Sequence, residues 1–468
     1  MQKDNIIRLI SGIIFLWCFW GCTVGPDFEK PVLYSNEKVE KALDLKPKND
    51  KAEDFYLIFN DSVLNKLLLM AFENSPSVRS AIQKVKQARL SVQIEQVNGL
   101  PTLDAAGKYQ YVKESRNIGY VFNQDIYQVG LDASWEIDIF GGARRRTEEA
   151  LANAYATIAN LENVYVSLAG EVALSYIQLR QSQTMYRLLE EQLKVQKSSL
   201  ISVQSLYQSG LVSQDEVNQT KISLQNIQSE IVSVQMQIDQ SKNQLALLTG
   251  QLPNELNDLL KSEKKSLIDK DFSFDVNRFF QMSADVLSDR PDVKASLYQL
   301  MAQNAKVGQA TADLYPKISL SAMLGFQSLH LDNLLNHKSY AYSLTPGFSI
   351  PLFYFGQLKN QLEIQKGKYE ELLAEYEQTF LTAAEEIKNA MIAIQTAQKQ
   401  YDLAKKNLSE TLNIYSLSKE RKTAGLINQI ELDQSEIKLL SARQELIKSN
   451  AELYASVVRF FKSIGALS

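Results

Sequence analysis

The sequence predicts a mainly α-helical chain with four membrane-crossing β-strands, in which an internal tandem repeat gives the same order of elements twice. Three observations support this fold class. Proline and glycine residues recur at one fixed offset, four segments alternate between apolar and polar residues, and two long segments contain no proline. A sheet in lipid must close, because an open edge leaves backbone groups unpaired, and four strands are too few to close a transmembrane β-barrel. We therefore expect three copies of the chain to form one 12-stranded barrel.

The composition argues against nucleic-acid binding and against most catalytic chemistry. The 468 residues include 50 basic and 54 acidic side chains, for a formal net charge of −4, whereas nucleic-acid-binding proteins carry a basic face. Two Cys and two His offer little material for a disulfide scaffold or for imidazole catalysis. No nucleophile-elbow, Walker or metalloprotease motif occurs. The counts favour transport, assembly or scaffolding over an enzyme.

Residues 1–21 are predicted to be a signal peptide that exports the chain. Two basic residues precede an apolar run at 9–20, which is too short to span a membrane as a helix. The run ends at Gly21 and Cys22, which resemble a bacterial lipobox, so Cys22 is expected to carry a covalent lipid such as palmitate. The alternative interpretation is that Cys22 is an ordinary thiol that follows the signal peptide.

Four pairs of helix- or strand-breaking residues keep an offset of 215 positions along the whole chain. The pairs are Pro76 and Pro291, Pro101 and Pro316, Gly141 and Gly356, and Gly210 and Gly425. Such self-similarity indicates a duplication, with repeats at 62–249 and 276–468 and a polar linker at 250–275. Glu171 and Glu386 recur at equivalent positions, which favours a structural role over a catalytic dyad.

Each repeat is expected to begin with a helix and two strands. The first helix covers 62–99, because the residue before Pro101 avoids the helical region. Four segments alternate between apolar and polar residues, which predicts strands with one apolar and one solvent-facing side. They are 102–112, 126–139, 316–327 and 340–353. Their length suits a membrane crossing, and aromatic residues cluster toward their ends as in an interfacial girdle. In the alternative, they form a half-buried sheet in a soluble sandwich.

Two very long helices follow the strands. The predicted spans are 143–209 and 358–424, each about 100 Å long at 1.5 Å per residue. Gly210 and Gly425 end them, and shorter helices at 212–249 and 427–465 return. Apolar residues at spacings of three, four and seven predict coiled-coil-like packing. Many Gln, Ser and Asn residues lie between them, which suits helices that pack on one side and line a water-filled channel on the other. A solvated antiparallel coiled coil is the alternative interpretation.

Taken together, these features resemble the outer-membrane efflux factor family, the TolC-like exit ducts, in its lipoprotein branch. The segments that carry the resemblance occur in family order and cover nearly all of the mature chain. They are Cys22–Pro31, Ala133–Gly141 with Arg144 and Arg145, Ala246–Gly250, Asp289–Val293, Ala310–Leu320, Ile350–Phe353 and Tyr454–Leu467.

The resemblance implies a homotrimer in the outer membrane of a Gram-negative bacterium, lipid-anchored and membrane-spanning, whose long helical hairpins form a periplasmic tunnel. A belt around the tunnel is expected from residues 35–60, within the lipidated segment 22–61, from 250–275 and from the last few residues. The implied function is that of a passive exit duct of a tripartite efflux pump, fed by an inner-membrane transporter and a periplasmic adaptor. No cofactor beyond the lipid and no nucleic-acid partner are expected. A periplasmic coiled-coil adaptor or scaffold lipoprotein is the alternative, although it leaves the four amphipathic strands unexplained.

The resemblance also assigns the turns that follow the long helices. Family members dock adaptors at these turns and narrow the tunnel with acidic residues six and nine positions after the turn glycine. The docking residues would be Gly210, Leu211, Val212, Gly425, Leu426 and Ile427. The sixth positions are Glu216 and Glu431, whereas the ninth are Gln219 and Gln434, so that a second acidic ring is absent or displaced to Asp433. In the alternative, Glu216 and Glu431 are capping carboxylates at helix starts.

Overall fold

A computed structural model of the protein describes residues 23–45, 59–113, 115, 117, 123–261, 268 and 282–466. The predicted signal peptide and Cys22 lie outside the described residues, as do parts of the predicted segments 22–61 and 250–275. Among the described residues, no helix combines the length and the apolar character that a membrane crossing requires.

Helices and strands follow one another in nearly the predicted order. In chain order they are α1 (Asn36–Leu43), α2 (Ser62–Asn74), α3 (Pro76–Val97), β1 (Thr102–Lys113), β2 (Asn123–Ile137), α4 (Gly142–Gln208), α5 (Gln214–Leu248), α6 (Asp285–Asp289), α7 (Pro291–Ala312), β3 (Lys317–Ser328), β4 (Tyr340–Ser349), α8 (Gln357–Thr423) and α9 (Gln429–Ser463). Two single 3₁₀ turns lie between β3 and β4. Helix α1 falls in the predicted belt and was not expected as a helix.

The tandem repeat is confirmed at the level of individual elements. The bounds of α3, β1, α4 and α5 recur 215 positions later in α7, β3, α8 and α9, to the residue. The turn glycines recur as well, since Gly210 and Gly425 share a φ of +73°. Breaker residues that keep one spacing therefore fix the same element boundaries in both halves.

The predicted helix at 62–99 is in fact two helices. It breaks at Ser75, which has φ −59° and ψ 127°, because the ring of Pro76 disfavours the helical conformation in the residue before it. The second repeat breaks in the same way at Arg290, with φ −56° and ψ 135° before Pro291. A proline inside an apolar helical pattern thus divides each predicted helix.

Two predicted strands and two predicted helices extended too far. Strand β2 begins at Asn123 and ends at Ile137 rather than at 139, and β4 ends at Ser349 rather than at 353. The reason is strand pairing: the last β2 residue paired with β3 is Ile137, opposite Ile318, and the last β4 residue paired with β3 is Ser349, opposite Lys317 at the start of β3. Helices α5 and α9 begin two residues later than predicted, because Ser213 and Asn428 are their N-caps.

The chain divides into two compact units. The first contains the described residues up to Pro31 with Lys84–Ile158 and Ala295–Glu377, and the second contains Val32–Gln83, Ala159–Lys294 and Gln378–Ser468 within the described ranges. In the first unit, the strands form one antiparallel sheet in the order β1-β2-β3-β4. The pairing of β2 with β3 joins the hairpin of the first repeat to the hairpin of the second.

Candidate functional site

One face of the sheet is apolar across all four strands. The register places Leu131 opposite Ala105 on one side and opposite Leu324 on the other, and Leu324 lies opposite Tyr342 in turn. The same rows contain large side chains that are 36–78% exposed in the single chain; they are Leu103, Tyr109, Tyr111, Val129, Leu131, Leu324, Tyr340, Tyr342, Leu344 and Phe348. An apolar surface this continuous and exposed marks a membrane or interaction surface rather than an ordinary soluble face.

The opposite face of the sheet is polar. Asp104 lies opposite Asp132, and Lys108 lies opposite Gln128, which in turn lies opposite Gln327. Apolar and polar faces that alternate residue by residue are the pattern of a transmembrane barrel strand, whose outer side meets lipid and whose inner side meets water.

Aromatic side chains lie at both ends of the strands. At the end that carries the β1–β2 loop, the rings of Tyr109 and Tyr127 are 5.1 Å apart. At the other end, Trp135 donates a hydrogen bond from its indole N–H to the Gly99 carbonyl at 2.9 Å, and the rings of Phe140 and Tyr315 stack at 4.9 Å. Rings with a polar atom at their edge are typical of the membrane–water interface.

Each long helix ends in a Schellman turn built on a glycine. After α4, the Gly210 N–H donates to the Tyr207 carbonyl at 2.9 Å, and the Leu211 N–H donates to the Leu206 carbonyl at 2.9 Å. Gly425 and Leu426 repeat both bonds after α8, at 3.0 and 2.8 Å. Both Leu211 and Leu426 are left 71% exposed. The two turns therefore present apolar side chains on rigid backbone.

The predicted gate glutamates occupy matching positions at the starts of α5 and α9. The Glu216 N–H donates to the Ser213 hydroxyl at 3.3 Å, and the Glu431 N–H donates to the Asn428 side-chain oxygen at 2.9 Å. The backbone of each glutamate thus completes an N-cap, while both side chains are exposed. A glutamate can therefore take part in the N-cap and also line the tunnel, because the cap uses its backbone amide and leaves its carboxylate in solvent.

Asp433 does not offer an exposed carboxylate. Its side chain is 3% exposed, and its Oδ1 accepts a hydrogen bond from the Gln429 side-chain amide at 2.7 Å. Burial raises the pKa of Asp433, against the opposing effects of Gln429 and Lys422. The ninth-position residues Gln219 and Gln434 are exposed but neutral. The structure therefore argues against the idea that Asp433 replaces a second acidic ring.

A buried arginine holds the segment that follows Cys22. Arg145, on the first turn of α4, is 3% exposed and donates to the carbonyls of Val24 and Gly25 at 3.3 and 3.2 Å. It also pairs with Asp27 at 2.9 Å and with Glu148 at 2.8 Å. Burial alone would lower the pKa of Arg145, but the two carboxylates outweigh that effect and raise it.

Close backbone contacts complete this N-terminal clamp. The Val24 N–H donates to the Phe140 carbonyl at 3.1 Å. A Cβ at Gly25 would lie 2.6 Å from the Cα of Gly308, so glycine is required where these two backbones meet. The residues just after Cys22 are thus fixed beside the junction between β2 and α4. The sequence marked Arg145 as part of a motif, but Val24, Gly25 and Asp27 lie 118 to 121 positions away, so no local pattern could identify them as its partners.

Replacement of Arg145 by alanine is expected to release residues 23–27. The change leaves two backbone carbonyls without their donor, and because both carboxylate partners are exposed, we expect a loss of about 1–3 kcal/mol in local stability. Amide hydrogen exchange at Val24 should become correspondingly faster. Arg144→Ala is the matched control, because that guanidinium is 44% exposed and pairs with Asp138 instead. Unchanged exchange at Val24 in Arg145→Ala would refute the clamp.

Comparison with known proteins gives one consistent result. The family model of outer membrane efflux proteins matches residues 67–251 and 282–466, one match for each repeat. The chain is 28% identical over 462 residues to the toluene efflux pump outer membrane protein TtgI of Pseudomonas putida, with 95% of both chains covered. It is 24% identical over 452 residues to the cation efflux system protein CusC of Escherichia coli O157:H7, again with 95% of both covered.

Solved structures share the same fold. The outer-membrane channel OprN superposes with a TM-score of 0.84 at 27% identity, over 95% of this chain and 99% of that one. The CmeC outer membrane channel of Campylobacter jejuni superposes with a TM-score of 0.81 at 24% identity, over 95% of each.

Proposed function

Because the chain belongs to the outer membrane efflux protein family, we propose that it is the exit duct of a tripartite efflux pump, which passes substrates from an inner-membrane transporter and a periplasmic adaptor to the exterior. The family is one of transport channels and not of enzymes, and its members act in the outer membrane of Gram-negative bacteria. The observation that carries the proposal is the exposed apolar face that runs across all four strands. A periplasmic adaptor or scaffold would have no use for that face.

Three copies are proposed to assemble into one channel. In the described sheet, β1 and β4 are the edge strands, and each leaves a row of backbone N–H and C=O groups without partners in the sheet. Such edges are not tolerated in lipid. Pairing β4 of one copy with β1 of the next removes every edge once the ring closes, and three copies supply twelve strands.

The lipid anchor is proposed at Cys22. The N-terminal clamp supports this proposal, because it fixes Thr23 and Val24 beside the junction between β2 and α4, next to the aromatic pair of Phe140 and Tyr315. A single acyl chain holds a protein to a bilayer only marginally. The strands would supply the remaining attachment.

The partners are proposed to meet the protein at its helix turns. Gly210, Leu211 and Val212 of the first repeat, and Gly425, Leu426 and Ile427 of the second, present two exposed leucines on rigid Schellman turns. These turns suit contact with the helical end of a periplasmic adaptor, and an inner-membrane transporter would supply the energy. No nucleic-acid partner is proposed.

Glu216 and Glu431 are proposed to line the periplasmic constriction. Three copies would bring together six carboxylates that are solvent-exposed and are held at the same position in each repeat by the N-caps. A ring of like charges in a narrow passage concentrates counter-ions and favours cations. Gln434 would border this ring as a neutral residue, and Asp433 would lie behind it, buried.

Single-channel recording in planar bilayers tests the duct and its gate together. The purified protein is expected to form channels that prefer cations, and the double variant Glu216→Gln with Glu431→Gln should lose most of that preference. Glu230→Gln is the matched control, since Glu230 is also exposed on α5 but lies away from the turn. Protein that forms no channels would refute the duct, whereas channels whose selectivity is unchanged in the double variant would refute only the gate.

A further inference from the structure

The two repeats differ at the position where their first helix breaks. In the second repeat this position is Arg290, which is buried and binds three partners. Its guanidinium forms two hydrogen bonds with Asp292, at 3.0 and 2.6 Å, one with Glu386 at 2.6 Å, and one with the Ser463 carbonyl at 2.6 Å. The arginine therefore joins the start of α7 to α8 and to the end of α9.

The first repeat keeps the frame of this site without the arginine. Ser75 stands at the equivalent position with nearly the same backbone angles as Arg290. In both repeats the glycine after the adjoining helix lies close to this break, since a Cβ at Gly250 would lie 2.6 Å from the Asn74 carbonyl oxygen and one at Gly465 would lie 2.9 Å from the ring of Pro291. The same helix ends thus surround the hydroxymethyl group of Ser75 in the first repeat and the guanidinium of Arg290 in the second.

A groove of about 430 Å³ occupies this place in the first repeat. The positions equivalent to the three partners of Arg290 are Ser77, Glu171 and Leu248, and all three line the groove. The lining residues are Ser75, Pro76, Ser77, Asn163, Val164, Ser167, Leu168, Glu171, Leu247 and Leu248. Ser75 and Ser77 bond to each other through their hydroxyls at 2.9 Å.

The groove is electrostatically suited to a cation. The Glu171 carboxylate is exposed, and no described residue pairs with it. Leu248 is the last residue of α5, so its carbonyl lies at the negative end of the helix dipole. In the second repeat, the equivalent carboxylate and carbonyl are bridged by one planar guanidinium, a geometry that an ammonium ion does not reproduce.

We propose that this groove binds a guanidinium group, either from a small solute or from an arginine of a neighbouring copy of the chain. Glu171 and the Leu248 carbonyl accept its hydrogen bonds, as Glu386 and the Ser463 carbonyl do for Arg290. Binding is weaker than in the second repeat, because Ser77 replaces the carboxylate of Asp292. Binding of a small solute is independent of the exit-duct proposal, whereas supply of the arginine by a neighbouring copy rests on the proposed assembly.

The first arm of the test is titration of the purified full-length protein with methylguanidinium by calorimetry, with tetramethylammonium as a cation that has no N–H donors. Saturable binding with a dissociation constant on the order of 1 mM is expected for methylguanidinium alone. Glu171→Gln and Ser75→Arg should abolish it, the second because the new side chain fills the groove. Ser80→Arg is the matched control, since it adds the same charge at an exposed position of α3 outside the groove.

The second arm measures thermal unfolding. Ser75→Arg should raise the midpoint by about 2 °C, and the additional change Glu171→Gln should remove that gain. If the unmodified protein binds no methylguanidinium but Glu171→Gln lowers the temperature at which assembled copies separate, the guanidinium comes from a neighbouring copy. A lower midpoint in Ser75→Arg, or the absence of both methylguanidinium binding and any effect of Glu171→Gln on assembly, would overturn the proposal.

Discussion

Replacement of Gly325 by valine is expected to prevent the four strands from forming one sheet. Gly325 lies opposite Gly130 where β2 pairs with β3. A Cβ at 325 would lie 2.3 Å from the Val129 carbonyl oxygen and 2.6 Å from the Cα of Gly130. These are backbone atoms of the partner strand, so neither can move aside while the pairing persists. Overpacking costs about 1–3 kcal/mol even where side chains can adjust, and the higher β-propensity of valine, at most about 1 kcal/mol, does not offset it.

The consequence should reach the proposed assembly of three copies, because the β2–β3 pairing joins the two hairpins of the sheet. We expect at least a tenfold loss of assembled protein in the outer membrane, the equivalent of about 1.4 kcal/mol or more. The amount of oligomer recovered from membranes measures this loss. Gly107→Val in β1 is the control, since the nearest neighbour of a Cβ there is the Gln128 carbonyl oxygen at 4.0 Å. Normal assembly of Gly325→Val, or equal loss in both variants, would contradict the prediction.

Replacement of Arg180 by methionine should strongly destabilise the second unit. Arg180 lies on α4, is fully buried, and donates to the Tyr176 hydroxyl at 3.0 Å, to Gln183 at 2.9 Å and to the Lys261 carbonyl at 2.8 Å. The Tyr176 hydroxyl donates in turn to Asp61 at 2.9 Å, and Asp61 caps the start of α2. Burial raises the pKa of Tyr176 well above its usual range, so the hydroxyl remains a donor.

Methionine fills most of the same space but leaves three acceptors without their donor, two of them buried and one, the Lys261 carbonyl, partly buried. Loss of one member of a buried charged network costs about 3–5 kcal/mol, and denaturant unfolding should show it as a lower midpoint. Arg89→Met makes the same change at an exposed position of α3 and should shift stability by no more than about 0.5 kcal/mol. A similar small shift in Arg180→Met would show that the network contributes little.

Much of the fold could be predicted from the sequence because it depends on neighbours along the chain. Alternation with period two identified all four strands. Glycine at 210 and 425 marked the ends of the long helices to within two residues, since only a residue that accepts a positive φ closes a Schellman turn. The predicted boundaries were wrong where an element ends because of its pairing with another strand. Strand β4, for example, ends at Ser349, which lies opposite Lys317, the first residue of β3.

The candidate site divides in the same way. The family resemblance assigned the turn leucines and the paired glutamates; the structure shows that these side chains are exposed, and their docking and gating roles stay proposals. The resemblance left the second acidic ring either absent or displaced to Asp433, and packing buries the Asp433 side chain. The sequence predicted one shared structural role for Glu171 and Glu386, whereas the structure pairs Glu386 with Arg290 and leaves Glu171 at the edge of a groove.

The sequence by itself determined the duplicated order of elements, the lengths of the helices and the two-faced character of the strands, because helical and strand periodicities act over a few residues. Only the tertiary structure decided which rows of side chains align into one apolar face, which arginine clamps the N-terminal segment, and which of two duplicated glutamates has a partner. Those outcomes depend on residues far apart in the chain, such as Arg145 with Asp27 at a separation of 118 positions and Arg290 with Ser463 at 173. No local pattern contains that information, because hydrogen bonds and burial are set by whichever distant segments pack together.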